Sequence, residues 1–357
     1  MEINPCNQTN LLAQLEASNY VITDPRFYTD SVEDYDYRLQ IEEAYRIDQF
    51  VSEVLKSNQP GFKLNKITRV RNDLVFFKDE FQTLPLATSY FRHVMGMYYA
   101  LLPSYSFYPY IDLFKRCIEK LELQSEFLNV PQAMSLRSGK PEYELFNDLV
   151  ALIRQESQTR EFKQTIMHFK DNLKRGLESG QEFINYIFEK YKRILVVRVD
   201  LGYKKVCARS VSIEHAKDDM TRFLNKLRLK GDLSKSMVAY IWRWEFGFYK
   251  GHHAHCLFLF NGDLAWKDDH WGKMLGKYWD DVIAPGRGHY WNVNQGERKA
   301  EYERKGLLGI GMVHRDDTSM RDNLINYVLQ YFFKDEQHVL AKENNKSSGR
   351  LFGKVIL

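Results

Sequence analysis

The sequence predicts an α+β protein in which a mainly helical N-terminal region, residues 1–185, precedes a C-terminal domain, residues 186–357, built on a central antiparallel sheet flanked by helices. Three observations carry this expectation. Apolar residues recur near helical spacing through much of the first half, as in Leu39, Ile41, Ala44, Ile47, Phe50, Val51 and Leu55. The texture changes at Arg193, where ILVVRVDL (194–201) is β-branched and continuous, as a buried strand requires. Two further strand-like runs, 237–246 and 252–260, are separated by GFYKG, a glycine-bearing connection of the kind that closes a hairpin.

In chain order, residues 1–37 are polar and irregular. Helices are expected at about 38–56, 73–101, 107–128, 140–156 and 158–192, punctuated by Pro60, Pro85, Pro103, Pro109, Pro131 and Pro141. After the first strand, EHAKDDMTRFLNKLRLK reads as a helix near 214–230, ended by Gly231. The hairpin strands follow, the second closed by Asn261-Gly262. Next come a helix near 267–280, a strand around 289–294 and the apolar stretch GLLGIGMV at 306–313. The last periodic element is a helix of about 319–334, SMRDNLINYVLQYFFK.

Composition bounds the function classes. A chain of 357 residues suggests two domains at about 150 residues each. With 44% apolar and 27% charged residues, it has the makings of a soluble protein with a real core. A net charge of +4 permits a nucleic-acid partner without demanding one. Cys6, Cys117, Cys207 and Cys256 are scattered, which argues against a zinc finger or disulfide framework and for a reducing compartment. The N-terminus MEINPCNQTNLLAQ lacks a basic and an apolar leader region, and no run of about 18 apolar residues occurs. A cytoplasmic protein without a membrane partner is therefore expected. No Walker-type phosphate loop is present, so an intrinsic helicase is not.

The segment WEFGFYKGHHAHCLFLF carries the first chemistry. Alternate residues of a strand share a face, so His253 and His255 point the same way while His252 and Cys256 face opposite. Two imidazoles on one face are a ready site for a divalent metal, and hairpin pairing can bring Glu245 beside them. His252 reads as a turn residue and Cys256 as core. The alternative is that the histidines are polar residues ending a core strand. A histidine-triad hydrolase is excluded, because the next alternating positions are Gly251 and Leu257.

The second constellation is YVLQYFFK. Tyr327 and Tyr331 are one helical turn apart, and Lys334 follows on about the same side. Taken alone, these tyrosines read as an aromatic stripe packing a helix on the sheet. Beside a metal that polarises a phosphodiester, a tyrosine hydroxyl becomes a usable nucleophile, and that chemistry accounts for both motifs together. Lys334 reads either as a cation for the phenolate or as a solvated lysine near a helix end. Asp200, at the end of the first strand, reads as a turn cap in preference to a support for a metal ligand.

An HxH strand followed far downstream by a helical Tyr-x-x-Lys resembles the HUH endonuclease superfamily. The likeness is closer to the filamentous-phage (inovirus) replication proteins, found in prophages as the YagK/YfjJ C-terminal domain. It rests on Trp242-Arg243-Trp244-Glu245, Gly251 to His255, and Gly309-Ile310-Gly311-Met312. It rests also on Tyr331 through Gln337, with Phe332 where Leu is usual, and on Arg350-Leu351-Phe352-Gly353. These motifs span roughly residues 190–354 in consistent order.

The resemblance implies an HUH-type catalytic domain and a rolling-circle replication initiator. His253, His255 and Glu245 would hold Mg²⁺ or Mn²⁺. Tyr331 would be the nucleophile, Tyr327 its possible partner and Lys334 an auxiliary cation, leaving a 5′-phosphotyrosine link and a free 3′-hydroxyl. Arg243, Lys250, Arg350 and Lys354 are the candidate contacts to the DNA backbone. The implied partners are single-stranded DNA or supercoiled duplex at a phage origin, with a host helicase and polymerase, in the cytoplasm of a bacterial host. Two other readings remain: a prophage-derived regulator that binds DNA without cutting it, and a metal-dependent phosphoesterase that activates water.

Overall fold

A computed structural model describes residues 32–71, 74–101, 105–126, 128–208, 210–229, 231–247, 250–333, 339–343 and 350–357. The first half is mainly helical, with α1 (Val32–Lys56), α2 (Pro85–Tyr90), α3 (Val94–Tyr99), α4 (Pro109–Lys120), α5 (Glu142–Ser157) and the long α6 (Arg160–Lys190). Proline opens α2 and α4, where its missing N–H costs nothing, and Thr159 caps α6 by accepting from Phe162 N. Phe50 of α1 packs against Phe114 of α4 and Phe146 of α5, so the helices share one aromatic core.

Two local expectations change here. Helix α1 takes in residues 32–37, and the rest of the irregular stretch expected at 1–37 lies outside the described residues. Residues 74–83 are not helical. Strands β1 (Phe62–Arg71) and β2 (Leu74–Thr83) form an antiparallel hairpin, and helix begins only at Pro85. The run LVFFKDEF fits neither a helical nor a strand period cleanly, and pairing with β1 decides it. A further short strand, β3 (Tyr105–Phe107), precedes α4.

The second half is built on β4 (Arg193–Tyr203), β5 (Met237–Gly247), β6 (Gly251–Asn261), β7 (Gly288–Asn292) and β8 (Gly311–His314). Between β4 and β5 lie α7 (Lys205–Ala208), α8 (Ile213–Leu227) and α9 (Gly231–Ser236). Helix α8 stops at Leu227, and Gly231 opens α9. Helix α10 (Asp268–Tyr278) precedes β7, α11 (Gly296–Arg304) precedes β8, and α12 (Thr318–Asn323) runs into a wide π-helical turn, Leu324–Leu329. Three strands were not expected: β8, read only as part of an apolar stretch, β9 (Val339–Glu343), which pairs with β3, and β10 (Phe352–Ile356). The large sheet has the order β10-β5-β6-β4-β7, with β8 also on β4, and every pair is antiparallel.

β7 and β8 share one edge of β4, and the break between them falls at Val196–Arg198. The side chain of Asn294 fills it: Arg198 N donates to Asn294 Oδ1 at 2.7 Å, and Asn294 Nδ2 donates to Val196 O at 2.8 Å. One amide thus stands in for the missing strand, as buried backbone groups require. The sheet's two faces bury separate apolar clusters. One holds Leu195, Val197, Val199, Tyr240, Trp244, Phe258 and Phe260 beneath α8 and α10. The other holds Ile194, Val196, Ile241, Leu257 and Leu259 beneath α6 and the α12 segment.

Asn294→Ala leaves a buried N–H and a buried carbonyl without this partner. Its urea-unfolding midpoint should report a loss of about 2–4 kcal/mol. A loss below about 0.5 kcal/mol would mean that the amide is not what closes the break.

Candidate metal centre

The face that is apolar at one end of the sheet becomes polar at the other. Cross-strand register explains this. Glu245 is paired with His253, Arg243 with His255, and His255 on its other side with Asp200. Directly paired residues share a face, so Arg243, Glu245, His253, His255, Asp200 and Arg198 stand together. Trp242, Trp244, Ala254 and Cys256 point the other way, into the opposite core. His252 also faces away. It is a buried strand residue packed on Phe246, not a turn residue, and burial pushes its imidazole down to about 4.

Gly251 begins the return strand with φ +60° and lies so close to Ala208 O that a side chain there would collide. Its carbonyl accepts from His253 Nδ1 at 3.1 Å. A carbonyl can only accept, so Nδ1 carries the proton and Nε2 is left with the lone pair. Burial holds His253 down at about 3, against the opposing charge of Glu245, so the ring is neutral.

His255 is placed differently. Nε2 is hydrogen-bonded to Glu245 Oε2 at 2.8 Å, and Nδ1 lies 2.8 Å from Asp200 Oδ1 in an ion-pair contact. Burial alone would lower this imidazole, but Asp200 and Glu245 outweigh it and raise it to about 9. Burial likewise opposes the charge on Asp200, yet His255 and Arg198 hold it well below the usual carboxylate range. Arg198 Nε is 3.5 Å from Asp200 Oδ1, and that carboxylate overcomes the cost of burial and holds the guanidinium above its ordinary value.

Glu245, His253 and His255 each offer a ligand atom, and these atoms lie within 4.8 Å of one another. Among the described residues this is the one such group of three. Donors about 2.1 Å from a common ion sit roughly 3–4 Å apart, so small rotamer changes would close the set. The donor chemistry fits a divalent cation: a neutral imidazole with its tautomer fixed, a carboxylate, and a second imidazole whose Nδ1 is in ion-pair contact with Asp200.

Tyr331 comes from the last helix. Its ring meets that of His255 edge-on at 5.1 Å, and the Arg198 guanidinium lies 4.3 Å over its face. Tyr327 is presented differently. It is 49% exposed, and among the described residues no ring contact or hydrogen bond joins it to the histidines. The π-helical turn Leu324–Leu329, which contains Tyr327, departs from the regular α-helix expected to carry both tyrosines. Gly309 permits this segment's approach, since a Cβ there would strike the backbone of Asn323 and Leu324, and Asn323 Nδ2 donates to Gly306 O and Leu308 O. Lys334 lies outside the described residues.

Of the expected DNA contacts, Arg243 is on the site face with its guanidinium over Phe333, and burial lowers it to about 10 against the pull of Glu245. Lys250 is in the hairpin turn, where its charge acts on His253 and Asp200. Arg350 is exposed at the same end of the sheet, since the next residue's carbonyl accepts from Trp244 N. Lys354 is engaged elsewhere, donating to Ser179 O at 2.6 Å and tying β10 to α6. Asp200 corrects the sequence reading, because it supports His255 and caps no turn. Arg198 was missed. The alternation of ILVVRVDL, with two charged residues at i and i+2 in a buried strand, was the available signal.

Fold and side chains together define an α+β domain with a histidine–carboxylate face and a tyrosine delivered to it by a helix. The chain belongs to the YagK/YfjJ C-terminal domain family, whose model matches residues 155–349, more than half its length. That match begins ahead of the sequence motifs and takes in α6, whose Phe183, Ile184, Ile187 and Phe188 pack on the site face's apolar end. No curated protein and no solved structure matches the chain.

Calorimetric titration with Mn²⁺ should show one site that His253→Ala or His255→Ala abolishes. Asp200→Asn should weaken it about 10–100-fold, while His270→Ala, on α10 over the opposite face, leaves it unchanged. Because His255 keeps its proton up to about pH 9 and an ion at Nε2 would replace it, binding near neutral pH should release about one proton. Affinity should therefore rise with pH towards that value. A release of zero would show that His255 is not a ligand.

Proposed function

We propose that the protein is a metal-dependent, tyrosine-nucleophile DNA nickase and strand transferase, an HUH-type rolling-circle initiator akin to filamentous-phage replication proteins. The observation that supports this reading most is the packing of Tyr331 against His255, a candidate ligand, with Arg198 over the tyrosine ring. His253, His255 and Glu245 would hold Mg²⁺ or Mn²⁺, which when bound polarises an oxygen of the scissile phosphodiester.

The chain's own residues account for the rest. A free phenol has a pKa near 10 and attacks poorly. A guanidinium held over its ring favours the phenolate, and Asp200 keeps that guanidinium in place. The Tyr331 oxygen forms a bond to phosphorus, and the bond from phosphorus to the 3′-oxygen breaks. A 5′-phosphotyrosine link and a 3′-hydroxyl result. Because the phosphodiester energy stays in the link, the 3′-hydroxyl can reverse the step without ATP. Arg243, Lys250 and Arg350 lie at the same end of the sheet and are suited to the flanking phosphates. Lys334 retains its proposed auxiliary role.

The substrate in this reading is single-stranded DNA, or supercoiled duplex, at a replication origin. A host helicase and polymerase would extend the 3′-end in a bacterial cytoplasm. Among the described residues no helix is long and apolar enough to cross a membrane.

Incubation with origin-bearing single-stranded DNA and Mn²⁺, followed by a denaturing gel, should give a covalent adduct. Tyr331→Phe should abolish it and Tyr327→Phe should keep it. Cleavage without adduct would point instead to a water-activating phosphoesterase, and retarded but uncut DNA to a binding protein.

Arg198→Met should slow adduct formation at saturating Mn²⁺ about 100-fold, with partial recovery in Arg198→Lys. An unchanged rate would remove the guanidinium from the mechanism.

A further inference from the structure

Strand β7 lies against β4 on the side away from β6. Its register sets Trp291 opposite Asp200 and His289 opposite Gly202. Trp291 therefore stands on the same face as Asp200, His255 and Glu245. Its neighbours Tyr290 and Asn292 point the other way, against α10: Asn292 Nδ2 donates to Asp269 O, and the Tyr290 ring lies where a side chain at Gly276 would be.

The indole is 42% exposed, whereas Trp244 and Trp279 are fully buried. Among the described residues no ring contact or hydrogen bond engages it. A single exposed aromatic is ordinary, and Trp266 is more exposed still; what marks Trp291 is its register place on the face that carries His255 and Asp200. Two strand spacings, about 10 Å, separate its backbone from that of His255. The charges that act on the adjacent His289 are mixed, Asp280 opposing Lys250 and Lys204.

We propose that Trp291 is a stacking platform for an unpaired nucleobase of a single strand whose neighbouring phosphate lies at His253, His255 and Glu245. The inference deepens the nickase reading and rests on it for the nature of the ligand. A lone indole flanked by Asp200 and His289 lacks the surrounding apolar patch that a protein partner would need. An exposed aromatic face on the same sheet face as a candidate phosphate site suits a base. Every base has such a face, so this subsite would tolerate sequence. A paired base keeps its faces inside the duplex and could not use it.

The test uses full-length protein, EDTA and labelled oligodeoxythymidylate, so that binding is read without chemistry. Trp291→Ala should weaken binding about tenfold or more, as expected for one lost stack, and Trp291→Phe should restore most of it. Affinity for duplex of the same length, Mn²⁺ affinity and the unfolding midpoint should stay at wild-type values. Single-strand affinity unaltered in Trp291→Ala would overturn the inference, as would equal losses for single strand and duplex, or no single-strand binding by the wild type. The two readings separate cleanly. Stacking without a Tyr331 adduct removes the nickase alone, and an adduct with indifferent Trp291→Ala binding removes the stacking subsite alone.

Discussion

Everything at the candidate site depends on the register of β5, β6 and β4. Shifting β6 by one residue would turn His253 and His255 into the opposite core and bring Ala254 and Cys256 to the ligand face. What prevents the slip lies further along the same strands. Leu257 and Leu259 fill one core while Phe258 and Phe260 fill the other, all fully or almost fully buried. Both halves of the pattern would have to be exposed or exchanged for the register to move. The apolar end of the sheet thus fixes the polar end, although the two do no common chemistry.

Such a face is costly to fold. Arg198, His253 and His255 are each 5% exposed or less, and burial disfavours the charged form of all three. The arrangement persists because the charges form a chain, Glu245 to His255 to Asp200 to Arg198, in which each neighbour carries the opposite sign. Removing one member strands another in a dry environment, which is why buried pairs are sensitive to single substitutions while contributing little net stability. The same chain has a chemical use. It fixes the His255 imidazole between two carboxylates and a guanidinium at its end, without reorganisation when a substrate arrives.

The sequence made some of this legible and concealed the rest for identifiable reasons. His253, His255 and Glu245 could be grouped because a hairpin is local: period-two alternation and a short connection bring them together within one stretch of chain. Asp200 and Arg198 could not be grouped with them, because β4 is separated from β6 by α7, α8, α9 and β5. Nothing in a sequence states which distant strand will be its neighbour. The hairpin of β1 and β2 was hidden by a short apolar run that suits either period. Strand β10 was hidden by its length and its place at the sheet's edge, where pairing on one side is enough. The wide turn at Leu324–Leu329 has no residue signature at all, so the differing exposure of Tyr327 and Tyr331 emerges only from packing.

That packing bears on how a nucleophile can be aimed. Tyr331 is not carried on a loop. Leu324, Val328, Leu329, Phe332 and Phe333 of the same segment all belong to the core beneath the sheet. Phe332, fully buried, also lies against the His255 ring and marks where the apolar end of the face gives way to the polar end. The tyrosine one residue earlier inherits its position from that core. Its orientation is then adjusted by the wide turn, which in turn is braced by Asn323 and by the close approach of Gly309. A site placed by core packing holds its geometry more tightly than one placed by a loop. By that reasoning the short segment from Leu308 to Met312 belongs to the aiming of Tyr331 as much as the helix itself does.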